Sequence, residues 1–377
     1  MANSREILLK LVRIAMGWED DFSFPKDVDW KVVLSLAHEQ GVVAVVIDGL
    51  EVCQAKNPEI NLLSKNDKRP LLEAIGQTRA IEINHQTHLA ALKKLAKILD
   101  GYGVPFILMK GFSCGQYYPI PKHRECGDID IYPGGKFEES NQALVEAGIE
   151  IDDHYYRHTV SIVDGVMVEN HRVLCDLRGP KKQTKELEQQ LEGEAEWSMY
   201  SGKRIVVGEN TVEAGRFPTA DFNALFLPWH VSAHFMFERV TLRHLLDWAL
   251  FLVNDGKNIN VEKFSEAKRR YTFGYGKIAN ILTNLSLRYL NMPTNGVPDA
   301  IITDARAFDN SLSDKVFDYM FIGQPRERDK NVWKFRWNNV KRMWKERWKY
   351  RELYDMSMLQ LLMIKVRGVL FNEGDTD

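Results

Sequence analysis

Two aspartates two residues apart, Asp128 and Asp130, lie in the run Asp128-Ile-Asp-Ile-Tyr132, where polar and apolar residues alternate. Alternation with period two belongs to a strand with one wet face, and residues i and i+2 project from the same side of it. Both carboxylates then point one way while Ile129 and Ile131 turn into a core. Carboxylates on one face repel, which raises at least one pKa unless a cation sits between them. Hard divalent ions take oxygen ligands, and Mg²⁺ accepts one or two carboxylates together with substrate phosphates. Alone, Asp-x-Asp is also what an ordinary solvent-facing strand end shows.

The neighbouring residues give the pair its meaning. Lys110-Gly111 directly follows the apolar run Val104-Pro-Phe-Ile-Leu-Met109, and a glycine there lets a phosphate approach the backbone closely. Ser113 offers a hydroxyl. Arg124, four residues before the first acid, can fork onto phosphate oxygens. Further along, Met167, Glu169 and His171 share one face of a second alternating run, with Val166 and Val168 on the other. A third carboxylate from a neighbouring strand is what a two-metal phosphoryl site requires.

These residues need a scaffold. Val104 to Met109 reads as a short buried strand, Asp128 to Tyr132 as a second, and Phe137 to Ala147 as a helix ended by Gly148. His158 to Val163 and Val166 to Val173 flank Asp164-Gly165, a strong hairpin signal. Helix spacing dominates elsewhere. Trp30, Val33, Leu34 and Ala37 precede a C-cap glycine at Gly41, and Leu89, Leu92, Leu95 and Leu99 recur by threes and fours. Asp221 to Phe237, Leu242 to Val253 and a long stretch from about Lys330 to Phe371 are helical by the same test. The expectation is an α+β protein: a small mixed-sheet core over 101–215, between a helical N-terminal segment over 1–100 and a helical C-terminal domain over 216–377.

The chain of 377 residues carries a net charge of −2, so whole-molecule attraction to nucleic acid or anionic lipid is not expected. With 45% hydrophobic and 27% charged residues it can bury a large core. Its longest aliphatic run, Val42 to Ile47, falls far below the roughly 20 residues a bilayer requires. The first twenty residues show no secretory pattern, and Cys53, Cys114, Cys126 and Cys175 share no CxxC spacing. The cytoplasm is the expected compartment.

Lys-Gly, then Arg-x-x-x-Asp-x-Asp, then an acid-x-His on a later strand resembles the uncharacterised bacterial nucleotidyltransferases of the DNA polymerase beta-like superfamily. That pattern is a Gly-Gly or Gly-Ser turn, an Asp-x-Asp or Asp-x-Glu pair on the next strand, and a third acid further on. The resemblance implies that Gly111 is the turn glycine, Asp128 and Asp130 the metal pair, and Glu169 the third carboxylate. Lys110, Arg124 and His171 match additional basic and histidine positions, and the likeness extends to Arg243-His-Leu-Leu-Asp247. Two departures stand out. Phe112 replaces the usual second glycine or serine of the turn, with Ser113 beside it as a substitute, and the third acid is a glutamate.

The resemblance thus implies an enzyme that moves a nucleoside monophosphate, AMP by preference, from an NTP to a hydroxyl acceptor with release of pyrophosphate. Asp128, Asp130 and Glu169 would be catalytic and hold Mg²⁺ or Mn²⁺. Lys110, Gly111, Ser113 and Arg124 would bind the nucleotide, and His171, Arg243 and Asp247 would line the site. The acceptor is open: a small molecule, a peptide or protein side chain, or an RNA end. The alternative is a non-catalytic nucleotide- or RNA-binding module on the same fold. A kinase-like phosphotransferase is disfavoured, since neither a P-loop nor a kinase catalytic loop is present.

Three further features have plainer explanations. His230 and His234 are spaced i, i+4 with Glu238 beyond, but His-Val-Ser-Ala-His lacks the metalloprotease glutamate. A structural role, or a face closing over the sheet's active edge, is expected. Arg243 and Asp247, also i, i+4, read as an intrahelical ion pair, and Cys114 and Cys126 as ordinary buried thiols. From Pro325 to Arg351 the chain carries eleven Lys/Arg against three acids, and Trp333, Trp337, Val340, Trp344 and Trp348 form one helical stripe. Packing of the tryptophans on the domain is the plain reading; contact of the Trp-rich helix 330–351 with nucleic acid or a membrane surface is the sharper one.

Overall fold

A computed structural model describes residues 2–25, 27–56, 68–175, 181–207, 210–237, 239–322 and 332–363. Four helices lead: α1 (Ala2–Ala15), α2 (Trp30–Glu39), α3 (Val43–Lys56) and the 33-residue α4 (Arg69–Gly101). Asp29 caps α2 by accepting the Val32 N–H, and the helix buries Val33, Leu34 and Ala37, the face its spacing implied. Gly41 follows with φ +67°, as a C-cap glycine should.

The mixed region alternates strand and helix: β1 (Phe106–Leu108), α5 (Lys110–Gly115), β2 (Ile129–Tyr132), α6 (Phe137–Glu146), β3 (Ile151–Asp152), β4 (His158–Val163) and β5 (Val166–His171). It continues with α7 (Lys181–Ser201), β6 (Arg204–Val207) and β7 (Asn210–Arg216). The seven strands form one sheet in the order β3-β4-β5-β2-β1-β7-β6. β2 runs antiparallel to β1 and parallel to β5, and β1 runs parallel to β7. The fold is therefore α+β with a mixed sheet. The β6–β7 pair and its join to β1 were not anticipated as strands.

The sheet has two unlike faces. Phe106, Leu108, Ile129, Ile131, Val166 and Val168 pack against Leu92, Leu95 and Leu99 of α4 and Ala143 and Leu144 of α6. Fully burying each such leucine stabilises the fold by about 1.5–3 kcal/mol. Period-two alternation then places Asp128, Asp130, Glu169 and His171 on the opposite face. On that side Ile107 and Tyr132 join Leu187 and Leu191 of α7 in the larger core, and the chain continues into α8 (Ala220–Phe237), α9 (Leu242–Asp255), α10 (Val261–Arg270), α11 (Tyr275–Tyr289), α12 (Asp299–Arg306) and α13 (Asn310–Met320).

The larger core joins both ends of the chain. Leu8, Leu11, Val45 and Val46 from α1 and α3 share it with Phe222, Leu245, Ile281 and Phe317. The buried Gln40 ties the seam, donating to the Met320 carbonyl (3.0 Å) and accepting the Leu242 N–H (2.9 Å).

The last helical stretch differs from expectation. It breaks into α14 (Val332–Lys345) and α15 (Arg347–Glu352), and is interrupted again near Asp355, whose φ is +51°. Residues 364–371 lie outside the described residues. Trp348 packs edge-on against Phe235 and Tyr319 beneath the Lys315 ammonium, whereas Val340 and Trp344 are 47% and 62% exposed. Met343 and Tyr350 supply the buried side of this region instead. The side chains of Trp333 and Trp337 lie outside the described residues. No described helix is long and apolar enough to cross a membrane.

Candidate active site

Register brings the acids together. In the parallel β2–β5 pair Asp130 stands opposite Glu169, and in the hairpin His158 stands opposite His171. The Asp130 carboxylate, 1% exposed, accepts from Lys110 Nζ at 2.6 Å and from His171 Nε2 at 2.9 Å, both at Oδ1. His171 Nε2 is also 3.3 Å from Glu169 Oε2, and His158 Nε2 lies 3.8 Å from Glu169 Oε1. Lys110 reaches Asp130 from the first residue of α5 with φ +41°, a left-handed conformation costing a non-glycine residue roughly 1–2 kcal/mol. The ion pair offsets that cost, and the Met109 N–H donates to the Asp130 carbonyl at 2.9 Å to fix the strand end beneath it.

The charges are unevenly compensated. Burial works against the Asp130 carboxylate, but Lys110 and the hydrogen bond from His171 outweigh it and hold its pKa well below the usual range. Glu169 is half-buried, and the hydrogen bond from His171 with the Lys110 charge outweighs that burial and keeps its pKa low. His171 resists its own burial through Asp130 and Glu169, which raise its pKa. Asp128 is the exception. The negative charge of Asp130 and then burial push its carboxyl up to about 7.

This donor set suits a hard cation. Asp128, Asp130 and Glu169 each present a carboxylate oxygen, all within 4.8 Å of one another. Oxygen-only ligation matches Mg²⁺ or Mn²⁺, and Asp130 raises the pKa of Asp128 despite the Lys110 and Arg124 charges, so the acids outweigh the cations around them.

Other anticipated residues lie differently. Arg124 is half-buried in a two-point pair with Asp247, Nη2 to Oδ2 at 2.7 Å and Nε to Oδ1 at 3.3 Å, and Tyr118 donates to the same carboxylate at 2.7 Å. Arg243 therefore does not pair with Asp247 along the helix. It donates to the Glu125 carbonyl at 3.2 Å. The Arg124–Asp247 pair fastens the loop before β2 to α9, so these residues brace the site. Ser113 is wholly buried with no hydrogen-bond partner for its hydroxyl among the described residues, and Phe112 stacks on His85 of α4 at 4.9 Å. At Gly111 a Cβ would meet Cys126 Sγ at 2.4 Å, so packing already demands glycine there. Cys126 donates to the Asp128 carbonyl at 3.0 Å, and Cys114 is buried nearby.

His230 and His234 of α8 are joined by His244 of α9, a third imidazole the sequence reading did not assign. Burial and the charges of His234 and Lys110 hold the pKa of His230 well below its usual value. Glu238 lies outside the described residues. His158 was also missed, although a two-residue Asp164-Gly165 turn sets its pairing with His171 by counting back from the turn.

The chain matches the family model of an uncharacterised nucleotidyltransferase over residues 26–274, about two thirds of its length. It belongs to that family. The matched span of this family member runs from α2 to just past α10 and includes the whole sheet, Asp128, Asp130, Glu169 and the α8–α9 corner. Searches of curated proteins and of solved structures returned no match.

Proposed function

We propose that this family member transfers a nucleoside monophosphate, with AMP from ATP the first donor to test, to a hydroxyl acceptor. The observation that carries the reading is the convergence of the Asp128, Asp130 and Glu169 carboxylates across β2 and β5. Divalent cations held by these three acids would neutralise charge on the phosphates and acidify the acceptor hydroxyl.

The chain's own groups have distinct tasks. Lys110 balances the acids in the free protein and presents an ammonium to the triphosphate oxygens. Glu169, kept ionised by His171, accepts the hydroxyl proton as the acceptor oxygen bonds to the α-phosphorus. The bond from that phosphorus to the bridging oxygen breaks, and pyrophosphate leaves with the electron pair. The Arg124–Asp247 brace keeps β2 in place while this happens. Positioning and electrostatics supply most of the rate, as is general in phosphoryl transfer.

Calorimetric titration of ATP, CTP, GTP and UTP, with Mg²⁺ and with EDTA, tests the reading. One nucleotide should bind only with metal, and Asp128→Asn/Asp130→Asn should abolish that binding. Nucleotide binding indifferent to both metal and mutation would identify a non-catalytic module instead.

A further inference from the structure

The three-histidine cluster at the α8–α9 corner has no part in the reaction proposed above. His230, His234 and His244 each bring a ring nitrogen within 4.8 Å of the others, with ring centroids 4.3, 5.6 and 6.3 Å apart, and all three are half-buried. Three imidazoles can ligate a transition metal or donate hydrogen bonds to an anion. The surroundings decide between them.

The first observation concerns the tautomer. Thr241 caps α9, and its backbone N–H donates to His244 Nδ1 at 3.1 Å. That nitrogen therefore carries no proton, and the neutral ring keeps its hydrogen on Nε2, as a donor. Ligation through Nε2 would require the opposite tautomer and leave the Thr241 N–H without its acceptor. The second is charge. The cations acting on His230 include Lys110 and Arg157, and those acting on His244 include Arg243 and Arg124. Lys110 and Arg124 are already paired with Asp130 and Asp247, which leaves Arg243, 3.8 Å from the Glu125 carboxylate, as the cation an anion would meet. The third is an unmet donor. The Arg243 Nε is buried without a hydrogen-bond partner among the described residues, while its Nη1 donates to the Glu125 carbonyl. Buried donors without acceptors are costly, and an oxyanion brings acceptors.

We propose that the α8–α9 corner is an oxyanion site, binding a phosphate-type group on the imidazole N–H donors and the Arg243 guanidinium. The inference rests on the nucleotidyl-transfer reading only for the carrier of that group, which is either the donor's pyrophosphoryl tail or a phosphorylated acceptor.

The test is calorimetric titration of inorganic phosphate and pyrophosphate into the full chain in EDTA. Wild type should bind one of them without divalent metal. Arg243→Met and His230→Ala/His234→Ala should each weaken binding at least tenfold, with melting temperature as the folding control and Arg243→Lys recovering part of the loss. Asp128→Asn/Asp130→Asn should keep this binding while losing metal-dependent nucleotide, which separates failure of this site from failure of the enzyme reading. Pyrophosphate bound and then displaced by nucleotide assigns the donor tail; phosphate bound alongside saturating Mg²⁺–nucleotide assigns the acceptor. Three results would overturn the proposal: no binding at millimolar phosphate, affinity indifferent to both variants, or stoichiometric Zn²⁺ uptake by the histidines with phosphate ignored.

Discussion

Lys110→Met removes the one ammonium that, among the described residues, pairs with Asp130. Lys110 Nζ lies 2.6 Å from an Asp130 carboxylate that is itself 1% exposed, and the lysine side chain is only 18% exposed. Deleting one partner of such a pair strands a buried charge, a loss of about 3–5 kcal/mol. Unfolding entropy of about 2.1 cal/mol/K per residue over 377 residues makes that a drop of about 4–6 °C in melting temperature. Thermal unfolding in EDTA measures it. Asp130→Asn in the same background should return part of the stability, because the stranded charge goes with it, and the double-mutant cycle should show a coupling of at least about 1 kcal/mol. Millimolar Mg²⁺ should narrow the gap between variant and wild type by supplying the missing positive charge. An unchanged melting temperature in EDTA, or strictly additive single and double variants, would refute the view that Lys110 is the internal counter-ion of this cluster.

Other consequences follow from the same geometry. Asp128 titrates near 7 when folded against 3.8 as an isolated side chain, so the folded state holds a proton that the unfolded chain has released, and metal-free stability falls as pH rises from about 4 to about 7. Asp128→Asn should flatten that slope in melts run from pH 4 to 8; an unchanged slope would place the proton elsewhere. Gly111→Ala drives a Cβ to 2.4 Å from Cys126 Sγ and should destabilise by about 1–3 kcal/mol, with Cys126→Ala restoring most of it in a urea titration. Trp348→Ala should cost about 2 kcal/mol or more, given its packing on Phe235 and Tyr319. Trp344→Ala, at an exposed ring, should leave the same denaturation midpoint in place.

What could be read from the sequence was what short-range pattern controls. Period-two alternation placed β2 and both hairpin strands, and with them the face shared by Asp128, Asp130, Glu169 and His171. Apolar spacing placed α2, α6, α8 and α9. What could not be read depends on contacts between distant segments. The β7 strand earns its place through parallel pairing with β1, a partner about a hundred residues earlier. Asp247 looked like the neighbour of Arg243 because helix spacing is local, yet its partner is Arg124, brought in by the docking of α9 on the loop before β2. The third histidine of the α8–α9 cluster escaped for the same reason. The tryptophan stripe showed only that one helix face is apolar; of its described rings, Trp348, beyond the break at Glu346, packs, and Trp344, before it, is exposed.

The shared core of the two chain ends bears on synthesis. Leu8, Leu11, Val45 and Val46 find partners in Phe222, Leu245 and Phe317, and Gln40 is satisfied only when Leu242 and Met320 are both present. On a ribosome adding about 5–20 residues per second, the first three helices wait on the order of 10–50 s for those segments to emerge. Through that interval α1 and α2 keep uncovered apolar faces and α3, buried nearly all round when folded, lacks part of its cover, so the segment needs shielding by a chaperone. A chain truncated before α9 would stay in that condition, so loss of the C-terminal helices would be felt as aggregation of the N-terminal ones.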